Sequence, residues 1–365
     1  MKKIILFLAF SFMLSACGGQ NVNKKSNIDK VVNYDDSQSL SISFMPIEKK
    51  VFSQGEILNV GYKLDKKVDS VILEVVGKDA VIKELESDSL KGNWSIKTSE
   101  KTKVGRVIYK FTFFKDKKRH SKQSSFKLLP SNKIRYSRVD VKKTIPMPKY
   151  FLQGLEIVGD TLYISSGGFG NSYIETVTLS NLKRLNLGQV KGDYFAEGLT
   201  VLGDKLFVLT WQNKKILTYD RKTLKLISEK DYIYDGWGLT NDGKYLYASD
   251  GTNVIHVLNP KTLEVVDNIE VLTSNGAVNY INELEWINGK IWANVFTNNF
   301  IVIINPMNGS VEEVMSCDEL ENSVKVYTPD DVLNGIAYDK KTNDLYLSGK
   351  NWCKMFIVKK LTVEK

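Results

Sequence analysis

"FAEGLTVLGDKLFVLTW" (residues 195–211) and "GWGLTNDGKYLYASDG" (residues 236–251) follow one plan: a Gly-Leu step, an apolar run, a tight turn of Gly and Asp, and a second apolar run. Outward from these two segments the step recurs at Gly154-Leu155, Gly198-Leu199, Gly238-Leu239, Glu283-Leu284 and Gly335-Ile336, at offsets of 44, 40, 45 and 52 residues. A period of about 40 to 50 residues with several short strands per unit is the pattern of propeller blades. The turns carry Gly159-Asp160, Gly203-Asp204, Asp242-Gly243 and Asn288-Gly289, which tolerate the positive φ that tight hairpins demand. The fifth unit, Ile336 to about Val363, has room for only three strands, and Arg135 to Ile145 reads as the strand that completes it. Such a completion closes the ring and removes its free edges. The expectation is an all-β chain with a five-bladed β-propeller over residues 133–365.

Ahead of the repeats, residues 40–130 alternate in short strands, predicted at Leu40 to Phe44, Ile57 to Leu64, Ser70 to Val76, Val104 to Phe114 and Ser124 to Leu128. This spacing fits a small immunoglobulin-like β-sandwich, here without a cysteine pair across its sheets. At the N-terminus Lys2 and Lys3 precede an apolar run from Ile4 to Leu14 and then Ser15-Ala16-Cys17. The run is shorter than the ~20 residues a membrane span needs, so residues 1–17 read as an export signal. Leu14-Ser15-Ala16-Cys17 resembles the lipobox of bacterial lipoproteins, which implies lipidation of Cys17 and a place in the bacterial cell envelope, periplasmic or surface-exposed. Residues 18–39 are polar and read as a flexible tether.

The formal charge of +9 is spread thinly, with no dense basic run interleaved with aromatics, so nucleic acid is not an expected partner. Only two histidines occur, His120 and His256, which excludes a three-histidine zinc site within the chain and gives a Ser-His-Asp triad little support. His256 sits in the strand-like run Val254-Ile255-His256-Val257 and reads as an ordinary sheet residue. Behind Cys17 remain Cys317 and Cys353, which the blade arrangement brings to one face of adjacent units, where a single disulfide is conceivable.

In a propeller the starts of the innermost strands surround one mouth of a central channel. Just before the repeated step stand Gln153, Glu197, Trp237, Asn282 and Asn334, and at the ends of the second strands come Phe169, Trp211, Asp250, Phe296 and Lys350. One carboxylate thus meets amides, a lysine and an aromatic wall. Partial desolvation there raises a carboxyl pKa and suits Glu197 to moving protons near neutral pH. The plainer readings are that Glu197 pairs with Lys350 for structure, that Trp211 and Trp237 fill the core, and that the amides serve turns.

The runs "YFLQGLE", "FAEGLTVLGDKLFVLTW", "GWGLTNDGKYLYASDG", "INELEWINGKIWANVF" and "LNGIAYD" with "SGKNW" resemble the glutamine cyclotransferases of plants and bacteria. The resemblance spans about Tyr150 to Phe356, in order through all five units. It implies an acyltransferase, a glutaminyl-peptide cyclotransferase, that turns the N-terminal glutamine of peptides or proteins into pyroglutamate with release of ammonia, with neither metal nor cofactor. It also implies Glu197 as acid and base; Gln153, Asn282 and Lys350 as donors to the developing oxyanion; and Phe151, Phe195, Trp211, Trp237, Phe296 and Asn334 around the substrate. The chain departs from the family pattern at Phe296, where tryptophan is usual, at Asp235 for glutamate and at Cys353 for proline.

Two other classes stay open on the residues alone. One is a non-catalytic surface lipoprotein that binds peptide or glycan on a propeller face. The other is a metal-dependent propeller hydrolase or lactonase using Glu197, Asn282, Asn334 and Asp250 as oxygen ligands. The chain is expected to act as a monomer, reaching the membrane only through its lipid.

Overall fold

A computed structural model of the chain describes residues 40–44, 50–76, 83–86 and 90–363. The export signal, Cys17 and the tether lie outside the described residues. The fold is all-β, with one short helix, Asp318–Glu321, among the described residues.

Residues 152–231 form two four-stranded antiparallel sheets, and Leu239–Asn241 begins a third that ends with Val265–Glu270. Each sheet runs in sequence order from an inner strand to an outer one, because each hairpin turn is too short to let a strand be skipped. The turn at Asn288-Gly289 illustrates this. Both residues take positive φ, 50° and 78°, and Ile287 pairs directly with Lys290. The inner strands are buried along nearly their whole length, as in Ala196–Leu202, whereas the outer strand Leu226–Asp231 is almost wholly exposed. Inner strands are covered by neighbouring units on both faces, which is why even their polar residues, such as Thr200 and Glu285, are buried.

The last two units share an eight-stranded sheet. Its centre is the strand Arg135–Pro146, which pairs antiparallel with Lys354–Thr362 and, through Arg135 to Arg138, parallel with Val311–Ser316. The strand expected to supply the last unit's missing partner therefore does so.

At the repeated step the units approach closely. A Cβ on Gly198 would lie 2.4 Å from the Leu239 nitrogen, and one on Gly238 would lie 1.9 Å from the Asn282 oxygen. The fourth unit alone carries a side chain there, Glu283, whose carboxylate oxygens accept the backbone N–H groups of Leu155 (3.3 Å) and Ile336 (2.9 Å). One side chain thus ties the first and fifth units together.

Residues ahead of the repeats form a three-stranded sheet and a five-stranded sheet over one core that includes Leu58, Tyr62, Trp94, Tyr109, Phe111 and Phe113. Strands Val51–Ser53, Lys83–Glu86 and Lys91–Lys97 are additional to those read from sequence, and Lys118–Leu129 starts earlier than expected. The segment around residues 99–106 docks on the turns and outer strands of the third and fourth units. Asn308 and Val104 share backbone hydrogen bonding (2.8 Å), Lys103 pairs with Asp267 (2.6 Å), and the Arg106 N–H donates to Glu270 (2.8 Å). By strand direction these turns lie at the end opposite the starts of the inner strands.

The two cysteines do not form a disulfide: both thiols are free. Cys353 does fall in the turn after the second strand of the last unit and Cys317 just after an outer strand, as expected. However, Cys317 is buried in the apolar core beside Leu320 and Trp352, while Cys353 faces solvent.

Candidate active site

The inner strands enter with a defect that aims their first side chains. Pairing with the second strand slips between Leu152 and Gly154, Ala196 and Leu199, Ile281 and Leu284, and Leu333 and Ile336. A bulge re-directs side chains and ends regular pairing, and each of these brackets the residue before the repeated step. Serines on second strands fix the distorted backbone. Ser165 donates to the Glu197 carbonyl (2.6 Å) and Ser249 to the Asn282 carbonyl (2.7 Å).

The result is a cavity of about 310 Å³ lined by Phe151, Gln153, Phe195, Glu197, Trp211, Trp237, Asn282, Phe296, Asp330 and Lys350. Its size is near the lower end of small-ligand pockets, ~300–1,000 Å³. All the side chains proposed from sequence for catalysis or substrate binding line it except Asn334. Asn334 stands outside that lining: it is fully buried, donating to the Leu152 carbonyl (2.8 Å) and to Gln153 Oε1 (3.1 Å). Its amide nitrogen thereby holds the Gln153 side chain, while its own Oδ1 is buried with no hydrogen-bond partner among the described residues.

With its oxygen held by Asn334, Gln153 turns its amide nitrogen to Glu197 Oε1 at 3.3 Å. Gln153 therefore orients the carboxyl. Asn282 is buried, and its side-chain amide has no hydrogen-bond partner among the described residues, so its polar atoms are free to meet a ligand in the cavity.

Glu197 is 6 % exposed. Burial pushes its carboxyl up to about 8, with the Lys350 ammonium pulling the other way. Lys350 is itself buried, and burial lowers its pKa while Glu197 and Asp330 raise it. No ion pair within 4 Å joins the two. Lys350 Nζ lies instead over the rings of Phe151 and Phe296, at 5.1 and 5.0 Å, where the ring faces attract a cation. The structural-pair reading of Glu197 is thus not what the geometry gives.

The aromatic wall has two parts, with Lys350 Nζ over a ring of each. Phe195 meets Phe151 (6.0 Å) and Trp211 (5.7 Å) edge-on, and Trp237 meets Phe296 in the same way (5.7 Å). Phe169 leans on Phe195 at 5.2 Å but is more than half exposed, at the rim. Trp211 and Trp237 face the cavity and are only partly buried.

Asp250 is turned away from the cavity, accepting from Thr252 and bonded to His256 Nε2 (3.0 Å). His256 is a buried sheet residue whose other ring nitrogen meets Asn268 (2.6 Å). With Asn334 outside the lining and Asp250 so engaged, the oxygen-ligand set of a metal-dependent hydrolase is not assembled. Among the described residues no three His, Cys, Asp or Glu side chains converge as metal ligands would. Sequence reasoning missed Asp330, which lies outside the repeated positions, in the loop before the fifth inner strand.

Comparison with known proteins agrees with this geometry. Residues 114–360 match the family model for glutamine cyclotransferase. Over 230 residues, 62% of this chain and 72% of the relative, the chain is 37% identical to a glutaminyl-peptide cyclotransferase of Arabidopsis thaliana. The crystal structure of Myxococcus xanthus glutaminyl cyclase superposes with a TM-score of 0.60 at 27% identity, covering 64% of this chain and all of that one. The chain therefore belongs to the glutamine cyclotransferase family.

Proposed function

We propose that this chain is a glutaminyl-peptide cyclotransferase, an acyltransferase that closes N-terminal glutamine to pyroglutamate and releases ammonia without a metal. The observation that carries the reading is one buried carboxyl, Glu197, facing amides and a lysine inside an aromatic cavity. We read the four-stranded units as the blades of a five-bladed propeller over residues 133–365, and residues 40–130 as an immunoglobulin-like sandwich docked at the end away from the cavity. Export, lipidation at Cys17 and monomeric action in the cell envelope belong to the same proposal and rest on sequence alone.

The chemistry follows from where protons must go. A peptide arrives with its α-amine as ammonium, the amine pKa being ~7.7–8.0. Glu197 accepts one proton, and the freed nitrogen attacks the side-chain amide carbon to form the new C–N bond. The carbonyl oxygen gains charge toward Asn282 and Lys350. Glu197 then gives its proton to the amide nitrogen, the old C–N bond breaks, and ammonia departs. The ring nitrogen still holds one proton too many, and it leaves by the same carboxylate, so that lactam and ammonium are the balanced products. The rings of Phe151, Phe195, Trp211, Trp237 and Phe296 keep out water, whose attack would give glutamate instead.

The test is ammonia release from a glutaminyl dipeptide by the purified chain from residue 18 onward, with a chelator present. Release at an undiminished rate is expected. A folded protein that releases none overturns the enzymatic reading in favour of peptide or glycan binding.

A pH profile gives a second check. The productive pair has Glu197 ionised and the amine protonated, so kcat/KM follows a bell set by those two pKa values, with its optimum near pH 8. Lys350→Met removes the cation that holds the Glu197 carboxyl down, so that pKa rises and the optimum moves to higher pH. An optimum that stays put, or falls, contradicts the assignment.

A further inference from the structure

The loop between the short helix Asp318–Glu321 and the inner strand Leu333–Asp339 carries two adjacent aspartates with different tasks. Asp331 is buried and fully engaged. It accepts from the Tyr327 and Thr328 N–H groups (2.8 and 3.1 Å), the Thr328 hydroxyl (2.9 Å) and the Asn351 amide (2.8 Å), and its carbonyl accepts from the Trp352 indole (3.0 Å). These bonds, with the Lys350 N–H donating to the Val332 carbonyl (2.9 Å), fasten the loop to the cavity wall. Asp330 sits on that fastened support, exposed, lining the cavity, and its carboxylate has no hydrogen bond or ion pair among the described residues.

Its position decides what it meets. Gln153, Glu197, Asn282 and Lys350 are each at most 6 % exposed, so a reacting glutamine must put its α-amine and its side-chain amide at depth. The rest of the peptide has to leave through the open side, where Asp330 stands. Building on the cyclotransferase reading, we propose that Asp330 is a specificity-determining residue that favours peptides with lysine or arginine directly after the N-terminal glutamine and disfavours those with an acidic residue there. Asp330 acts on the buried Lys350 across the cavity wall, but its carboxylate is the acidic group at the exposed side of the lining, where the next side chain of the peptide passes. Such placement affects partner choice more than overall affinity.

The experiment measures kcat/KM of the purified full chain on Gln-Lys-amide and Gln-Glu-amide, and takes their ratio. Effects of a substitution on Glu197 or Lys350 act on both peptides and cancel in the ratio. The expected ratio is about fivefold to tenfold in favour of lysine, the size of an exposed charge pair counted once as attraction and once as repulsion, and it shrinks as salt is added. Asp330→Asn brings it close to unity and Asp330→Lys inverts it. Both peptides turned over with a ratio that Asp330→Asn leaves unchanged overturns the proposal while leaving the cyclotransferase reading intact. Ammonia from neither peptide overturns that reading and this proposal together.

Discussion

Glu197→Gln lowers kcat for a glutaminyl dipeptide by about a thousandfold, within the ~10²–10⁴ that a positioned acid or base contributes, and changes KM little. The amide keeps the shape of the carboxyl and keeps an oxygen to accept from Gln153, so the cavity wall stays in place. What it cannot do is carry the protons that pass from the α-nitrogen to the departing ammonia. The same variant separates catalysis from stability. The folded-state pKa of Glu197 is raised by burial, so its favourable contribution to folding is complete below the unfolded value near ~4.3 and is lost as pH rises toward about 8. A neutral amide has no such loss. Glu197→Gln is therefore at least as stable as the parent at pH 8, measured by denaturant midpoint, while nearly inactive. An inactive variant that is also grossly destabilised at that pH would remove the catalytic inference, as would one that retains a tenth of the parent's kcat.

The repeat made much of this site legible before any coordinates, for a physical reason. Four of the units enter their inner strand through the same slip in pairing, which brackets the residue in front of the repeated step, so equivalent positions are aimed toward one place. Gln153, Glu197, Trp237 and Asn282 meet there, and the second-strand positions Trp211, Phe296 and Lys350 join them. Asn334 follows the same rule in sequence but not in space, because its amide is drawn to the Leu152 carbonyl and Gln153. Periodicity gives a position on a strand, not the competition among its hydrogen-bond partners. Asp330 had no repeat to mark it, being fixed by the neighbouring Asp331, whose bonds run within its own loop and to Asn351 after the second strand of the fifth unit. The cysteine pair failed for a related reason. Both residues fell where expected along the chain, but burial of Cys317 depends on the packing of Leu320 and Trp352, which strand spacing does not report. Ahead of the repeats, Lys91–Lys97 hides its alternation in "KGNWSIK", where only Trp94 and Ile96 are large and apolar.

The one unit that lacks the glycine of the repeated step points to the largest structural effect. A reader correcting the fourth unit to the pattern of the others would replace Glu283 by glycine, yet its carboxylate accepts the Leu155 and Ile336 N–H groups from the first and fifth units. Glu283→Ala leaves both amides buried without an acceptor, at ~1–3 kcal/mol each, so a loss of about 2–6 kcal/mol is expected in denaturant unfolding. Restoring the pattern with Glu283→Gly does no better, since it supplies no acceptor either. Glu283→Gln falls between the parent and Glu283→Ala, because its oxygen serves one amide while its NH₂ opposes the other. The pH dependence has a definite sign. Burial raises the Glu283 pKa well above the ordinary value, against the pull of its two backbone hydrogen bonds. Its contribution is therefore complete below the unfolded value near ~4.3 and diminishes as pH rises toward the folded one. The gap in stability between parent and Glu283→Ala is widest in acid and narrows with increasing pH. A gap that widens instead, or a total loss under ~0.5 kcal/mol, would mean that the ring is held closed by its paired strands alone, chiefly Arg135–Pro146 along Lys354–Thr362.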